Sequence, residues 1–445
     1  MKRAAEVVRT YLGLLEGGLA ARTATWLTDE SRARELFHHG RQTCTTLLPL
    51  FLDGDVYRGL LAATEQLMHA VDVAVACLWS DAAARRRYLV PERFDPLLAA
   101  PDPTPAIFPA RPDAFIDATG TVRFLEINPI PGGYVTSLQL GELFLEAPPL
   151  AHPALRDATV RYDSTLGPMR SLLAGLRARI ATTGSLRIGV VGDRSGHWEL
   201  AIVDRLCAQL GAELVWSLPG EVTVDGDRAI FSGVAVDCVM LGHPVKLGPD
   251  PIAHPLVAAT LRGAPIVHLR GLGASVLLGR KSLFALLTDD AFVAALPSEL
   301  ARTVRTHVPW TRVLRDERTT DPSQAPIELL AYARATREQL VLKPTSTQGG
   351  EGIVRGWTVS AGDWDAALAT GLARPHVLQA RVDGGLYPVP LWRDGQLEIV
   401  ERIVDFNPFV WEGGRAAGVF SRWASESGLT NVAVGGGCVP CLSVE

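Results

Sequence analysis

A predicted β-hairpin between positions 111 and 128 constrains this chain more than any other feature of its sequence. Two strand-like runs, 114–116 and 122–127, flank a polar turn at 117–121. Gly120 lies in this turn, where a positive φ angle is expected and glycine adopts it without strain. The sequence therefore predicts two antiparallel strands with a fixed register.

The register brings four polar side chains together. If the turn is symmetric about its glycine and the threonine before it, paired residue numbers sum to 239. Asp113 then lies opposite Glu126, and Arg111 lies opposite Asn128. Because strand side chains alternate with a period of two, all four are expected on one face.

This polar face has two interpretations. The carboxylates of Asp113 and Glu126 and the amide oxygen of Asn128 are hard ligands that suit Mg²⁺, and the guanidinium of Arg111 can bind a phosphate or an acyl oxyanion. An exposed hairpin with a cross-strand salt bridge is the alternative. The Pro- and Gly-rich bend at 129–134 exposes backbone amides and favours a ligand site.

A second candidate site follows a short apolar run that ends at Lys343. The segment 345–353 is rich in Ser, Thr and Gly and includes Gly349, Gly350 and Gly352. A lysine followed by flexible backbone donors suits a polyphosphate, although neither GxxxxGK[ST] nor GxGxxG is present. A plain glycine-rich hairpin is the alternative.

Further candidate residues lie in other parts of the chain. Lys281 follows a strand-like run at 276–278, and its alternative is a solvated helix N-terminus. Gln379 ends another strand-like run that could hold the edge of an adenine. Arg422 and Asn431 precede a run of three glycines near the C-terminus.

The secondary structure predicted from the spacing of apolar residues changes twice along the chain. Residues 1–95 have helical apolar spacing, and the Pro-rich stretch 101–105 ends that part. Alternating strand and helix signals over 186–269 indicate a small parallel sheet, and an α+β segment follows. At 445 residues, two or three packed units are expected.

Composition excludes several classes of protein. A net charge of -5 gives no electrostatic footprint for nucleic acid, and no apolar run is expected to reach the roughly 18 residues that cross a membrane. The start has no signal-peptide core, so a cytoplasmic protein with reduced thiols is expected. Cys438 and Cys441 form a CxxC, but no second pair of ligands completes a zinc site.

Together these segments resemble the ATP-grasp superfamily. Ordinary ATP-grasp ligases place the metal-binding Glu-x-Asn after two lysines, whereas here it comes first. That order is similar to the circularly permuted branch represented by glutathionylspermidine synthetase. In that branch an Arg-x-Asp pair precedes Glu-x-Asn on a hairpin, which corresponds to Arg111, Asp113, Glu126 and Asn128.

The resemblance also assigns the nucleotide site and the domains. It implies that Lys281 and Lys343 bind ATP phosphates, that the glycine loop covers them, and that Gln379 marks the hinge. The implied fold is α+β and α/β, an ATP-grasp fold with permuted motif order. The expected divisions are an N-terminal helical segment, the hairpin with its helices, a Rossmann-like pre-ATP-grasp domain and the nucleotide-binding domain, at 1–100, 101–184, 185–275 and 276–445.

The chain departs from the family pattern at two places. Pro129-Ile130-Pro131 replaces the usual Ala-Asp-Ser/Thr-Pro after the asparagine, so the turn that faces the substrate differs. Ala380-Arg381 follows the hinge glutamine where many members have Glu, which affects the adenine and ribose contacts. No Cys-His amidase module accompanies the ligase motifs.

The resemblance implies an ADP-forming ligase that uses ATP and Mg²⁺ and proceeds through an acyl phosphate. Arg111 would stabilise the transition state, Arg422 is the second catalytic candidate, and the segment 192–198 is a candidate carboxylate site. The expected substrates are a small carboxylate and an amine, such as amino acids or peptides, or a carrier-protein thiol as acceptor. A homodimer is compatible with this view. A non-catalytic nucleotide-binding protein and a small-molecule kinase are the alternatives.

Overall fold

A computed structural model describes residues 2–38, 40–99, 110–129, 131–194, 199–347, 350–425, 428, 430 and 435–445. The predicted Pro-rich break at 101–105 lies outside these residues. Their α-helices are α1 (Lys2–Leu14), α2 (Ala20–Ala33), α3 (Gly54–Ser80), α4 (Ala82–Arg87), α5 (Asp95–Ala99), α6 (Tyr134–Leu145), α7 (Leu166–Ile180), α8 (Leu200–Gln209), α9 (Pro255–Leu261), α10 (Leu272–Leu278), α11 (Ser282–Leu287), α12 (Asp290–Ala295), α13 (Ser298–His307), α14 (Leu329–Ala335) and α15 (Ala361–Ala373).

The strands of the same residues are β1 (Phe37–His38), β2 (Arg41–Gln42), β3 (Leu50–Asp53), β4 (Arg111–Ile116), β5 (Val122–Asn128), β6 (Val160–Arg161), β7 (Leu186–Val191), β8 (Ala212–Ser217), β9 (Thr223–Asp225), β10 (Arg228–Phe231), β11 (Val234–Ala235), β12 (Cys238–Met240), β13 (Val267–His268), β14 (Thr311–Val313), β15 (Arg318–Thr320), β16 (Pro326–Glu328), β17 (Leu340–Pro344), β18 (Val354–Arg355), β19 (His376–Ala380), β20 (Leu386–Arg393), β21 (Gln396–Val410), β22 (Ala416–Trp423) and β23 (Gly437–Val444).

A central sheet joins distant parts of the chain. Its strand order is β3-β23-β22-β21-β4-β5, with β6 beside β23 and β20 beside β21. Alternating side chains fill a hydrophobic core on each face: Phe124 and Phe406 pack with α3 on one side, and Phe409 packs on the other. The predicted hairpin therefore belongs to the same sheet as the C-terminal strands.

Two smaller sheets flank this one. The strands β13-β12-β7-β8 form a parallel sheet, which confirms the strand series predicted over 186–269. The strands β14-β19-β17-β18 form an antiparallel sheet, called here the small sheet, whose own core is centred on Trp364 and Leu342 under α14 and α15. The expected domain boundaries remain predictions.

The structure corrects three sequence-based expectations. The run 276–278 lies in helix α10, because a short apolar run has no periodicity that distinguishes strand from helix. The segment 1–100 is not only helical, since β3 pairs in parallel with β23 of the central sheet. Within the described residues, α3 is long and apolar enough to cross a membrane by length and composition. Its Leu60 and Leu67 are buried in the core beneath the sheet.

Candidate active site

A cleft lies between the central sheet and the small sheet. Its volume is about 300 Å³. The residues that line it come from five separated stretches of the chain: Arg111, Asp113, Phe115, Leu125, Glu126, Asn128, Val341, Lys343, Gly350, Ile353, Arg355, Trp357, Gln379 to Asp383, Ile403, Asp405, Arg422, Gly428 and Thr430. Most of the predicted site residues are thus brought together. A larger crevice of about 670 Å³ lies on the other side of the 380–383 segment and contains none of them.

The hairpin register is confirmed at the end that carries the polar side chains. Arg111 pairs with Asn128 and Asp113 with Glu126, and Gly120 in the turn has a φ angle of 82°. Beyond Asp113 the register shifts by one residue, because β5 contains a bulge that the symmetric turn did not predict.

The bulge decides which way β5 presents its side chains. Phe124 is fully buried in the core below the sheet, and simple alternation would send Glu126 and Asn128 to the same side. One extra residue, Leu125, reverses the alternation. Glu126 and Asn128 therefore face the cleft while Phe124 faces the core.

An ion-pair network forms the floor of the cleft. The carboxylate of Asp113 accepts hydrogen bonds from Arg111 Nε at 2.9 Å and from Arg422 Nη2 at 2.9 Å. Arg422 also pairs with Asp405 at 2.6 Å. Burial alone would raise the pKa of Asp113, but the two guanidinium groups hold it below its usual value. Asp405 is missing from the sequence-based set, because an aspartate between Val404 and Phe406 matches the ordinary alternation of polar and apolar residues in a strand, and its burial leaves no mark on that pattern.

The small sheet contributes a buried lysine from the opposite wall. Lys343 Nζ donates a hydrogen bond to Gln379 Oε1 at 2.6 Å, and the amide of Gln379 donates to Thr311 Oγ1 at 3.1 Å. Burial lowers the pKa of Lys343 to about 8, and the nearby charge of Lys281 adds to this effect while Glu126 opposes it. A lysine whose described partner is a neutral amide is available for an anion.

Lys281 lies near the same place but belongs to the segment between α10 and α11. Its Nζ is 3.1 Å from Glu126 Oε2 and donates to the carbonyl of Thr347 at 2.7 Å. Its backbone amide donates to the carbonyl of Thr345. Lys281 is buried, so the solvated helix terminus considered from the sequence is wrong.

The loop after β17 needs glycine at two of the predicted positions. Gly350 has φ 84° and lines the cleft. Gly352 has φ 72°, and a Cβ atom there would lie 2.8 Å from Pro344 Cγ. Gly349 lies outside the described residues. Between this loop and Gln379, Val341, Ile353 and other apolar side chains line a slot suited to a planar ring.

Comparison with solved structures gives the fold. A glutathione synthetase-like effector from Globodera pallida, in its apo form, matches with a TM-score of 0.62 at 10% sequence identity, covering 94% of this chain and 96% of that one. The fold is that of a glutathione synthetase-like protein. A putative γ-glutamylcysteine synthetase from Methylobacillus flagellatus matches with a TM-score of 0.43 at 12% identity over 88% and 89% of the two chains. No protein-family model and no curated protein matches the sequence.

Within this glutathione synthetase-like fold, the predicted metal ligands differ in what they offer. Glu126 is partly exposed, and Asn128 directs its amide nitrogen to Asp113 at 2.9 Å, which leaves its amide oxygen on the other side. Both fit a magnesium ion that also takes phosphate oxygens and water. Asp113 does not fit in this arrangement, because its two oxygens are held by cationic groups. The described residues contain no cluster of three His, Cys, Asp or Glu side chains arranged for a metal.

Three other predicted features have different outcomes. Of the candidate carboxylate site at 192–198, residues 195–198 lie outside the described residues, as does Asn431. Cys438 and Cys441 pack into cores on opposite faces of the central sheet, so they cannot bind one metal together. Glu199 and Phe420, which contact the hairpin region from other elements, carry no local sequence signal that could have identified them.

Proposed function

We propose that this protein is an ATP-dependent, ADP-forming carboxylate–amine ligase with a permuted ATP-grasp arrangement. The observation that carries the proposal is the convergence of Arg111, Glu126 and Asn128 from the hairpin with Lys281 and Lys343 at one cleft. Arg111 and Lys343 are 232 positions apart in the sequence, so local structure alone would not bring them together. The glutathione synthetase-like fold is consistent with this proposal.

The charge of the cleft suits a nucleotide triphosphate. Five cations line the described part of the cleft, and Lys281, which contacts Glu126, makes a sixth. They are Arg111, Lys281, Lys343, Arg355, Arg381 and Arg422. Four carboxylates oppose them, namely Asp113, Glu126, Asp383 and Asp405. The excess of positive charge at this cleft favours a polyphosphate, which charge-assisted hydrogen bonds bind strongly.

Each group has a proposed role in the reaction. Lys343 and Lys281 bind phosphate oxygens, and the backbone of the glycine loop covers them. Glu126 and Asn128 would hold Mg²⁺, which would supply charge neutralisation to the phosphates. Arg111 has N–H groups beyond those that bind Asp113 and Gly132, and these face the developing charge of the acyl phosphate.

The proposed chemistry has two steps. A substrate carboxylate oxygen attacks the γ-phosphorus of ATP and ADP leaves, which forms an acyl phosphate. An amine nitrogen then attacks the acyl carbon, loses its proton, and phosphate leaves. Positioning and charge neutralisation account for this kind of catalysis, and no protein nucleophile is needed.

We further propose that the acid is an amino acid or a short peptide, that the acceptor is an amine or a carrier-protein thiol, and that the reaction takes place in the cytoplasm. Arg422 is proposed to act through Asp113 instead of on the substrate, because its guanidinium is held by two buried carboxylates.

A screen of ADP release tests the proposal. Purified protein is mixed with Mg-ATP and pools of amino acids and short peptides, with and without added amines, and products are identified by mass spectrometry. We expect ADP release that needs both an acid and an amine, together with a product of their combined mass less water. ADP release without an amine would indicate a kinase, and no ADP with any mixture would indicate a binding protein.

A further inference from the structure

The carboxylate of Glu199 is fully buried at the N-terminus of helix α6. Its two oxygens accept hydrogen bonds from the amide of Gly133 at 2.7 Å and the amide of Thr136 at 2.9 Å. Glu199 belongs to the segment between β7 and α8, 66 residues away from Gly133 in sequence. This contact therefore joins the parallel sheet to the bend that follows the hairpin.

The same bend holds Arg111. Arg111 Nη1 donates a hydrogen bond to the carbonyl of Gly132 at 2.6 Å, next to the amide that Glu199 binds. Gly133 has φ 93°, and a Cβ atom there would lie 2.9 Å from the ring of Phe420. That ring also packs against the guanidinium of Arg111, at 5.1 Å from its centroid. Arg111 is thus held by Asp113, by Phe420 and by the carbonyl of Gly132. That carbonyl belongs to the same peptide group as the amide that Glu199 binds.

We propose that Glu199 is a positioning residue for Arg111, a role that rests on the ligase function proposed above. The first amides of a helix have no partner within the helix, and a carboxylate there satisfies them and interacts with the helix dipole. Within the described residues Glu199 forms these two hydrogen bonds and no ion pair. A carboxylate buried in this way is costly unless its hydrogen bonds are kept, so the bend is held firmly.

The origin of this carboxylate distinguishes it from an ordinary helix cap. Asp289 caps α12 from the adjoining position, by accepting hydrogen bonds from Ala291 and Phe292. Glu199 instead reaches α6 from the segment between β7 and α8, so its removal changes the position of the bend relative to the hairpin. The carbonyl of Gly132 then no longer accepts a hydrogen bond from Arg111 Nη1, and the guanidinium loses one of its three contacts.

The contact is tested first on the protein without substrates. In Glu199→Gln we expect amide hydrogen exchange in 131–137 to be about tenfold faster or more. The side-chain Nε–H of Arg111, followed by ¹⁵N NMR, should exchange faster as well. The matched control Asp289→Asn removes a capping carboxylate elsewhere and should change neither. Unchanged exchange at either place in Glu199→Gln overturns the proposal, whether or not the protein proves to be a ligase.

Kinetics then test whether Glu199 acts through Arg111. With the acid and amine found by the screen, Glu199→Gln should lower kcat about tenfold while KM for ATP changes less than about twofold. In the double variant, Glu199→Gln should lower kcat hardly further than Arg111→Lys does alone, because both changes remove the correct placement of the Arg111 guanidinium. Fully additive losses overturn the proposal. If wild-type protein releases no ADP at all, the ligase function fails and the exchange measurements still decide the positioning.

If Glu199→Gln does not fold, Glu199→Asp provides a second variant. It keeps the charge but is one methylene shorter, so it can reach only part of the bend. We expect intermediate exchange rates and an intermediate kcat. A Glu199→Asp protein with wild-type exchange in 131–137 and reduced kcat would contradict the proposal, since the loss would not come from the bend.

Discussion

The two walls of the cleft differ in how their charges are compensated. On the central sheet, Arg111, Asp113, Asp405 and Arg422 neutralise one another through hydrogen bonds of 2.6–2.9 Å. On the small sheet, Lys343 is equally buried but has a neutral amide as its described partner. The first wall is complete without a ligand, whereas the second has a charge available for one. This arrangement, in which one wall holds its side chains in place and the other has a cation free to bind a ligand, is expected of a site pre-organised for an anion.

The largest expected effect comes from breaking the compensated wall. Asp113→Asn removes one carboxylate and leaves Arg111 and Arg422 with too little negative charge in a buried site. We expect the free energy of unfolding to fall by about 3–5 kcal/mol, as for other broken buried ion pairs. Urea denaturation measures it. The control Asp383→Asn breaks the exposed pair with Arg381 and should cost less than about 1 kcal/mol. Equal losses in the two variants would show that the network is not a special feature of this wall.

Next comes the uncompensated wall. Lys343→Met removes the buried cation, and we expect the dissociation constant for a fluorescent ATP analogue to rise at least about tenfold, because a charged hydrogen bond contributes about 1.5–3 kcal/mol. Stability should change little, since the lost ammonium was costly to bury. A fluorescence titration with melting curves measures both. A large loss of stability with unchanged binding would contradict the comparison.

The same lysine predicts a pH dependence. Burial lowers the pKa of Lys343 to about 8, so it is protonated below that pH and can bind phosphate. Nucleotide affinity should therefore fall as the pH rises from 7 to 9, and this fall should be absent in Lys343→Met. Because the unfolded lysine keeps its proton up to about pH 10.4, the unfolded state binds more protons between these two pKa values. Wild-type stability should then rise with pH relative to Lys343→Met over that window.

A smaller effect concerns magnesium. Glu126→Gln keeps the shape of the side chain but removes a charged oxygen ligand and the partner of Lys281. We expect about tenfold more Mg²⁺ to be needed for half-maximal nucleotide binding, which corresponds to about 1.4 kcal/mol. A titration with MgCl₂ at fixed ATP analogue measures it. If the curves of wild type and variant coincide, Glu126 is not a metal ligand.

The smallest effect is expected in the loop between the walls. Gly352→Ala places a Cβ atom at a positive φ and against Pro344, and should cost about 1 kcal/mol of stability and weaken nucleotide binding slightly. Gly362→Ala, in helix α15, has no such strain and should be neutral or stabilising by up to about 1 kcal/mol. Thermal unfolding compares them. Equal behaviour of the two alanines would remove the argument for a strained loop.

The sequence predicted the compensated wall only in part. Hairpin pairing from Arg111 to Asp113 followed from turn chemistry and period-two alternation, which are local properties. No local sequence pattern predicts the bulge at Leu125, yet the bulge decides in which direction the side chains of Glu126 and Asn128 point. Asp405 and Glu199 join the site through tertiary packing across large separations in sequence, which a single sequence does not encode in any local pattern.

The uncompensated wall was easier to predict. The positive φ angles at Gly350 and Gly352 favour glycine at these positions, since other residues are strained there, and glycine is visible in the sequence. The strand-like conformation predicted for 276–278 was wrong, because an apolar segment of three residues fits a helix and a strand equally well. Lys281 nevertheless lies beside Glu126, because its predicted place in the order of motifs did not depend on the secondary structure before it.

Isotope transfer tests the central claim most directly. Carboxylates of the acids that support ADP release are labelled with ¹⁸O, and the phosphate produced in the presence of the amine is analysed by mass spectrometry. An acyl-phosphate intermediate requires one carboxylate oxygen to leave with phosphate, so we expect phosphate that carries a single ¹⁸O atom. Phosphate without the label, formed at the same rate as the product, would contradict a carboxylate ligase at this cleft.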